Sequence, residues 1–226
     1  MIKRMNQKSA ISKINKNGAL LVFPIKNEKE PQSLWSEFYP RSEMRWEWDT
    51  KGDTRVSDLW HLMKKLSGSK EVVYSKWYQG RATFFSRELF TALVCILNHQ
   101  ANPRAGLSGA GRGLLETLES DSPLSTKQLK SLNDLKGKFN EGIYNRGLRE
   151  LFSRFLIIVC GEIDDGAFPS VALGATSLVY EDLIEAAKKM NQKKAWSIVD
   201  RLVPEGNSFR KFFDKTLKNI SLGSES

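Results

Sequence analysis

The order of the apolar periods between Gly111 and Gly174 constrains this chain more than any other feature of its sequence. GRGLLETLES has a helical period, and DSP breaks it. In SPLSTKQL, Ser125 stands where an N-cap hydroxyl meets the orphan N–H groups of a helix over LSTKQLKSLNDL, with Pro123 fixing the approach. After the KGK turn, FNEGIYNRGLRELFSRF carries a third helical period. Its core face is predicted as Phe139, Ile143, Leu148, Leu151, Phe152 and Phe155. LIIVCGEI and AFPSVALG then read as strands joined at Asp165-Gly166, a two-residue hairpin signal. Three helices followed by a hairpin is the order of a winged helix, whose third helix reads DNA.

With the apolar face turned inward, Gly142, Arg146, Arg149 and Ser153 share another face, and Asn145 lies beside them. Arginine forks onto guanine or clamps a phosphate, and asparagine pairs with adenine. Lys127, Lys130, Lys136 and Lys138 surround this helix as candidate phosphate contacts. A net charge of +9 agrees with an anionic partner. The wing argues the other way: its loop, EIDDG, holds Glu162, Asp164 and Asp165, which repel a phosphate backbone, so it is expected to stay out of a groove. A solvated face or a protein-binding module of the same fold is the alternative reading.

Residues 1–17 read as a basic flexible arm. GALLVFPI reads as a strand, PQSLWSEFYP as a short helix between two prolines, and TRVSDLWHLMKKLSGS as an amphipathic helix burying Val56, Leu59, Trp60, Met63 and Leu66. Val72–Tyr78 and Arg81–Phe85 flank Gln79-Gly80 as a second hairpin, after which Ser86 caps RELFTALVCILNH. Strand alternation turns Ser75 and Trp77 one way and Lys76 and Tyr78 the other, with Gln79 and Arg81 at the tip. A basic, aromatic hairpin of this kind suits minor-groove insertion or a wedge beside a lesion; a hairpin covering the core would look the same. NPRAGLSGAG reads as a flexible linker, and the tail as two helices divided at Pro204. The expected units are 1–17, an α+β module over 18–106 with its hairpin at 72–85, a winged helix over 107–175, and C-terminal helices over 176–226. Sequence shows no internal repeat. The fold class is α+β, predominantly helical.

Several chemistries find no support. Cys95 and Cys160 lie in apolar runs without metal or disulfide spacing, and a reducing cytoplasm suits them. No run approaches the ~18 apolar residues that span a membrane. His61 and His99 lack nucleophilic or metal-ligating partners, and GLSGAGRG lacks the Lys-Ser/Thr of a phosphate loop. No cofactor and no metal is expected. RWEWD offers Glu47 and Asp49 beside Trp46 and Trp48, and the next helix adds Asp58. Those three carboxylates are the weak catalytic candidates for a base-excising pocket.

KWYQGRATFFSRELF, SPLSTKQL and FNEGIYNRGLRELFSRFLIIVCGEI, with GALLVFPIKNEKEPQSLWSEF near the start, resemble a bacterial family of AlkZ-related proteins. That family is similar to the DNA glycosylases of the AlkZ type, built from winged-helix modules. The resemblance runs from about Gly18 to Asp200 and is most specific over Tyr74–Phe90. It implies a winged-helix fold and affinity for double-stranded DNA. AlkZ-type glycosylases position water with a Gln-x-Gln motif, which this sequence lacks; Gln79, Gln100 and Gln128 stand alone. The expectation is therefore a cytoplasmic DNA-binding protein without catalysis. The alternatives are a glycosylase and a protein-interaction scaffold. The DNA-contact candidates are Lys127, Lys130, Lys138, Asn145, Arg146, Arg149, Lys76, Gln79 and Arg81.

Overall fold

A computed structural model describes residues 5–46, 53–164 and 169–223, with side chains through 221. The chain opens with α1 (Gln7–Asn17), where the sequence suggested a loose arm. Asn6 caps this helix by accepting from the Ser9 N–H at 2.9 Å, and Ala10 and Ile14 are fully buried beneath it. Lys8 and Lys16 lie on its exposed side, while the partly buried Lys13 pairs with Glu37 of the next helix at 2.9 Å. Then follow β1 (Ala19–Leu21), α2 (Leu34–Phe38), α3 (Thr54–Ser67), β2 (Val72–Ser75), β3 (Thr83–Ser86) and α4 (Arg87–Gln100). The second half runs α5 (Gly109–Ser120), β4 (Leu124–Ser125), α6 (Thr126–Leu132), a 3-10 turn (Lys138–Asn140), α7 (Glu141–Ser153), β5 (Ile157–Ile163) and β6 (Ser170–Ala175). The molecule is α+β and mostly helical.

The two halves repeat one topology. Each places a helix, a short strand, two helices and two further strands in succession, and each sheet is antiparallel with its last strand in the centre: β1-β3-β2 and β4-β6-β5. The correspondence reaches single residues. Pro31-Gln32-Ser33 and Pro123-Leu124-Ser125 both lead into capping boxes: Ser33 and Ser36 exchange bonds at the head of α2, and Ser125 and Gln128 do so at the head of α6. The repeat of topology was invisible in sequence because little more than a Pro-x-Ser and a burial pattern is shared.

Three phase assignments differ from expectation. On α7 the buried residues are Tyr144, Gly147, Leu151 and Phe152, whereas Phe139 is 93% exposed and Ile143 47%. Gly147 sets that phase: a Cβ there would lie 2.9 Å from Leu114 and 3.2 Å from the Gly111 nitrogen, so α5 and α7 touch along glycines. On α3, Leu62 takes the buried place expected of Trp60, which faces solvent. Beyond Ser75 the strand alternation ends, and Trp77 and Tyr78 are both buried.

The tail holds α8 (Thr176–Val179), α9 (Glu181–Lys189), α10 (Gln192–Leu202) and α11 (Ser208–Gly223) rather than two helices. Asn191 caps α10 and makes the extra break. NPRAGLSGAG is not a flexible linker: the Arg154 guanidinium donates to the Pro103 and Ala105 carbonyls at 3.1 and 2.5 Å, and Ser108 caps α5. One core lies under β1, β2, α3, α5 and α7; the other gathers α4, α9, α10 and α11 around Trp77 and Phe155.

Candidate nucleic-acid interface

Three distant segments meet at one cleft of about 690 Å³. The first is the tip of the β2–β3 hairpin. Gln79 and Gly80 both adopt positive φ, 53° and 75°, and the Arg81 N–H donates to the Tyr78 carbonyl at 2.9 Å. The strands part after the pair of Ser75 with Thr83, so Gln79-Gly80 is a tight turn at the tip of a longer loop rather than the two-residue hairpin expected from sequence. It supplies the two successive positive φ angles of such a turn. The second segment is the exposed face of α7, with Arg146 and Arg149. The third, α11, adds Lys211 and Lys215, and Phe212 helps line the floor.

The geometry follows from an aromatic cluster. Trp77 stacks on Phe155 with ring centres 5.5 Å apart, meets Phe212 edge-on at 4.8 Å and contacts Phe209 at 6.4 Å. Tyr78 lies 5.2 Å from Phe209. The hairpin, the end of α7 and the start of α11 are thus clamped together by rings that leave water together. Burial of Trp77 and Tyr78 holds the neighbouring Lys76 and the Gln79-Gly80 turn at the cleft.

The cleft is cationic. Lys76, Arg146, Arg149, Lys211 and Lys215 line it, and none of the five is ion-paired among the described residues. Glu150 is the one carboxylate among the lining residues, and it is already committed. Its Oε2 accepts from the Ser108 Oγ at 2.6 Å and from the Ser108 N–H at 3.1 Å, at the N-terminus of α5. Burial pushes the Lys76 ammonium below the usual lysine range. Lys76 is partly buried, whereas Arg146, Arg149, Lys211 and Lys215 are exposed; cations of one sign gathered along a cleft attract anions, and salt screens that attraction.

Of the sequence-predicted contacts, Lys76, Gln79, Arg146 and Arg149 converge here. Arg81 is exposed beyond the hairpin turn and does not line the cleft. Asn145 donates its side-chain amide to Glu141 at 3.4 Å, and its backbone carbonyl accepts from Arg149 Nε at 3.3 Å. Lys130 is engaged within the chain: it pairs with Glu141 at 2.6 Å and lies 4.6 Å above the Tyr144 ring, tying α6 to α7. Lys127, Lys130 and Lys136 border a separate depression beside Gly137, and Lys138 is exposed in the 3-10 turn.

Asp58 is exposed on α3 and does not line the cleft; Glu47, Asp49 and the Asp165-Gly166 turn lie outside the described residues. Glu162, near the end of β5, pairs with Lys64 of α3 at 2.6 Å, so its charge is spent on the other half of the molecule. Lys211 and Lys215 were missed by sequence reasoning. Their i, i+4 spacing opposite Phe209, Phe213 and Leu217 marked an amphipathic basic face, but nothing local said that this face returns to the hairpin.

No group of histidines, cysteines or carboxylates among the described residues is arranged to hold a metal ion, and no helix there is long and apolar enough to cross a membrane. No curated protein and no solved structure matches the chain. The family model described as AlkZ related matches residues 5–212, all but the first four and last fourteen residues. The chain belongs to the AlkZ-related family.

Proposed function

We propose that this protein binds double-stranded DNA through the second half's helix-turn-helix, a winged-helix module, with α7 as the reading helix and the cleft as its phosphate-binding flank. The observation that carries this reading is the convergence of five cations from the hairpin, α7 and α11 on one cleft, none of them ion-paired among the described residues, while the carboxylate of Glu150 in the lining is already bonded to Ser108. The order α5, β4, α6, α7, β5, β6 supports a winged helix, and family membership favours DNA over other polyanions. The acidic wing supports a mode in which α7 and the first-half hairpin, rather than the wing, approach the duplex.

Binding without excision is the role assigned. The chain has no Gln-x-Gln, and Asp58 lies away from the cleft. A bound lesion without an oriented water gains stacking energy but little transition-state stabilisation. The glycosylase reading requires release of alkylated bases from duplex DNA, abolished by changing Glu47, Asp49 or Asp58 with DNA affinity retained.

The primary test is salt dependence. Affinity for duplex DNA should fall with a log–log slope near −0.9 per phosphate contacted, and Arg149→Ala should cost about 1–3 kcal/mol if Arg149 meets a base. Affinity indifferent to ionic strength, or no binding at ~50 mM salt, refutes the reading and leaves the scaffold.

A further inference from the structure

The surface formed by the 3-10 turn and the first turn of α7 is built unlike the rest of that helix. Phe139 exposes 93% of its surface and Ile143 47%, and Leu132, at the end of α6, exposes 60%. A phenylalanine this bare contributes almost nothing to the stability of the free protein. Between them, Gly142 is exposed on the same face, and a Cβ built on it would meet nothing within 4 Å. Its φ is not in the left-handed region. Neither packing nor backbone geometry therefore requires a glycine there, and glycine weakens a helix relative to alanine. What its missing side chain provides is close approach of something from outside.

The charge around this face selects the visitor. From 127 to 149 the chain carries six cations, Lys127, Lys130, Lys136, Lys138, Arg146 and Arg149, against two carboxylates, Asp134 and Glu141. A second copy of the same face would bring like charges together, whereas a polyanion with apolar groups between its charges complements it. The thymine methyl in the major groove is such a group, and apolar side chains are its usual partners. One turn further along α7, Arg146 and Arg149 continue the same face into the cationic cleft.

We propose that Phe139, Gly142 and Ile143 form a reading surface for thymine methyl groups in the major groove, Phe139 and Ile143 covering the methyls and Gly142 letting the helix backbone come close. The proposal rests on the DNA-binding reading and adds to it a base preference that phosphate contacts cannot supply.

The test compares a short A·T-rich duplex with the same duplex carrying uracil in place of every thymine, a change that removes only methyls. The wild-type protein should bind the uracil duplex roughly fourfold more weakly for each methyl covered. The double variant Phe139→Ala with Ile143→Ala should bind both duplexes alike, with the salt slope of the wild type, since no phosphate contact is lost. Gly142→Ala should raise the thermal midpoint by about 1–3 °C yet weaken binding to the thymine duplex. Equal wild-type affinity for the two duplexes overturns the proposal, as does a variant carrying both Phe139→Ala and Ile143→Ala that still discriminates between them. A wild-type dimer that Phe139→Ala converts to monomer with DNA affinity unchanged assigns the surface to self-association instead. If neither duplex binds at ~50 mM salt, the DNA reading itself has failed, and this proposal falls with it.

Discussion

Lys76 and Glu150 face the same cleft with opposite consequences for stability and binding. Desolvation holds the Lys76 pKa below its ordinary value. The folded protein therefore binds fewer protons than the unfolded chain between that lowered value and the ordinary one near 10.4. Stability from this group rises as pH climbs through that window, and below the window its full desolvation cost is present. Lys76→Met should consequently raise the melting temperature at neutral pH and flatten the alkaline rise in stability, while DNA affinity and its salt slope decrease. A variant that melts lower and binds DNA normally would contradict both halves of the argument. Glu150→Gln should do the reverse. It removes a charged acceptor from the Ser108 Oγ and N–H at the head of α5, costing about 1–2 kcal/mol in urea titration. It also removes a negative charge from the cleft lining, so duplex affinity should rise.

At the scale of elements, glycine positions decide how helices seat. Gly18 closes α1 with φ 77°, and a Cβ there would lie 2.8 Å from Leu202 Cβ and 2.9 Å from Leu89 Cδ2. Gly18→Ala thus combines a left-handed backbone with a clash against α10 and α4, and should cost upwards of ~2 kcal/mol by chemical denaturation. Gly80, at φ 75° with open space around it, carries only the backbone penalty, so Gly80→Ala should cost about 1 kcal/mol. Comparable losses at the two sites would show that strain alone is at work. Local signals of this type were the legible part of the sequence. Gln79-Gly80, Ser86 and Ser125 declared a turn and two caps because their chemistry acts within three residues. The face of α7 was misread because Phe139 and Ile143 look like core residues, and the glycine contact with α5 that rotates the helix is a tertiary fact. The site was half legible for the same reason: Arg146 and Arg149 follow from one helix, but their meeting with Lys76 and Lys211 depends on the aromatic cluster.

Over the whole molecule, the repeat of topology does not divide the protein into two independent bodies. Phe155 and Ile158 belong to the second half, yet they are buried in the same core as Leu21, Phe85 and Phe90 of the first and Phe209, Phe213 and Leu217 of α11. Val72, Tyr74 and Phe84 share the other core with Leu151, Ile157 and Leu173. The Tyr180 hydroxyl donates to the Val72 carbonyl at 2.9 Å, and Lys64 pairs with Glu162, so polar ties cross the same boundary. A fragment of residues 107–175 would leave Phe155, Ile158 and the β5 surface that meets β2 in water. Its own sheet has only three short strands to set against that exposure. We therefore expect the full chain to unfold in urea as one transition, with circular dichroism and tryptophan fluorescence coincident, and fragment 107–175 to show no cooperative melt. The consequence reaches function, because the cleft needs the hairpin, α7 and α11 held at once. Phe209→Ala, in the shared core, should lower global stability by about 3–5 kcal/mol. Because Phe209 contacts both Trp77 and Tyr78 beneath the cleft, DNA affinity should fall as well, even where the protein remains folded. A fragment 107–175 that folds cooperatively and binds duplex DNA with the full protein's salt slope would show instead that the second half is sufficient and that the hairpin and α11 only cover it.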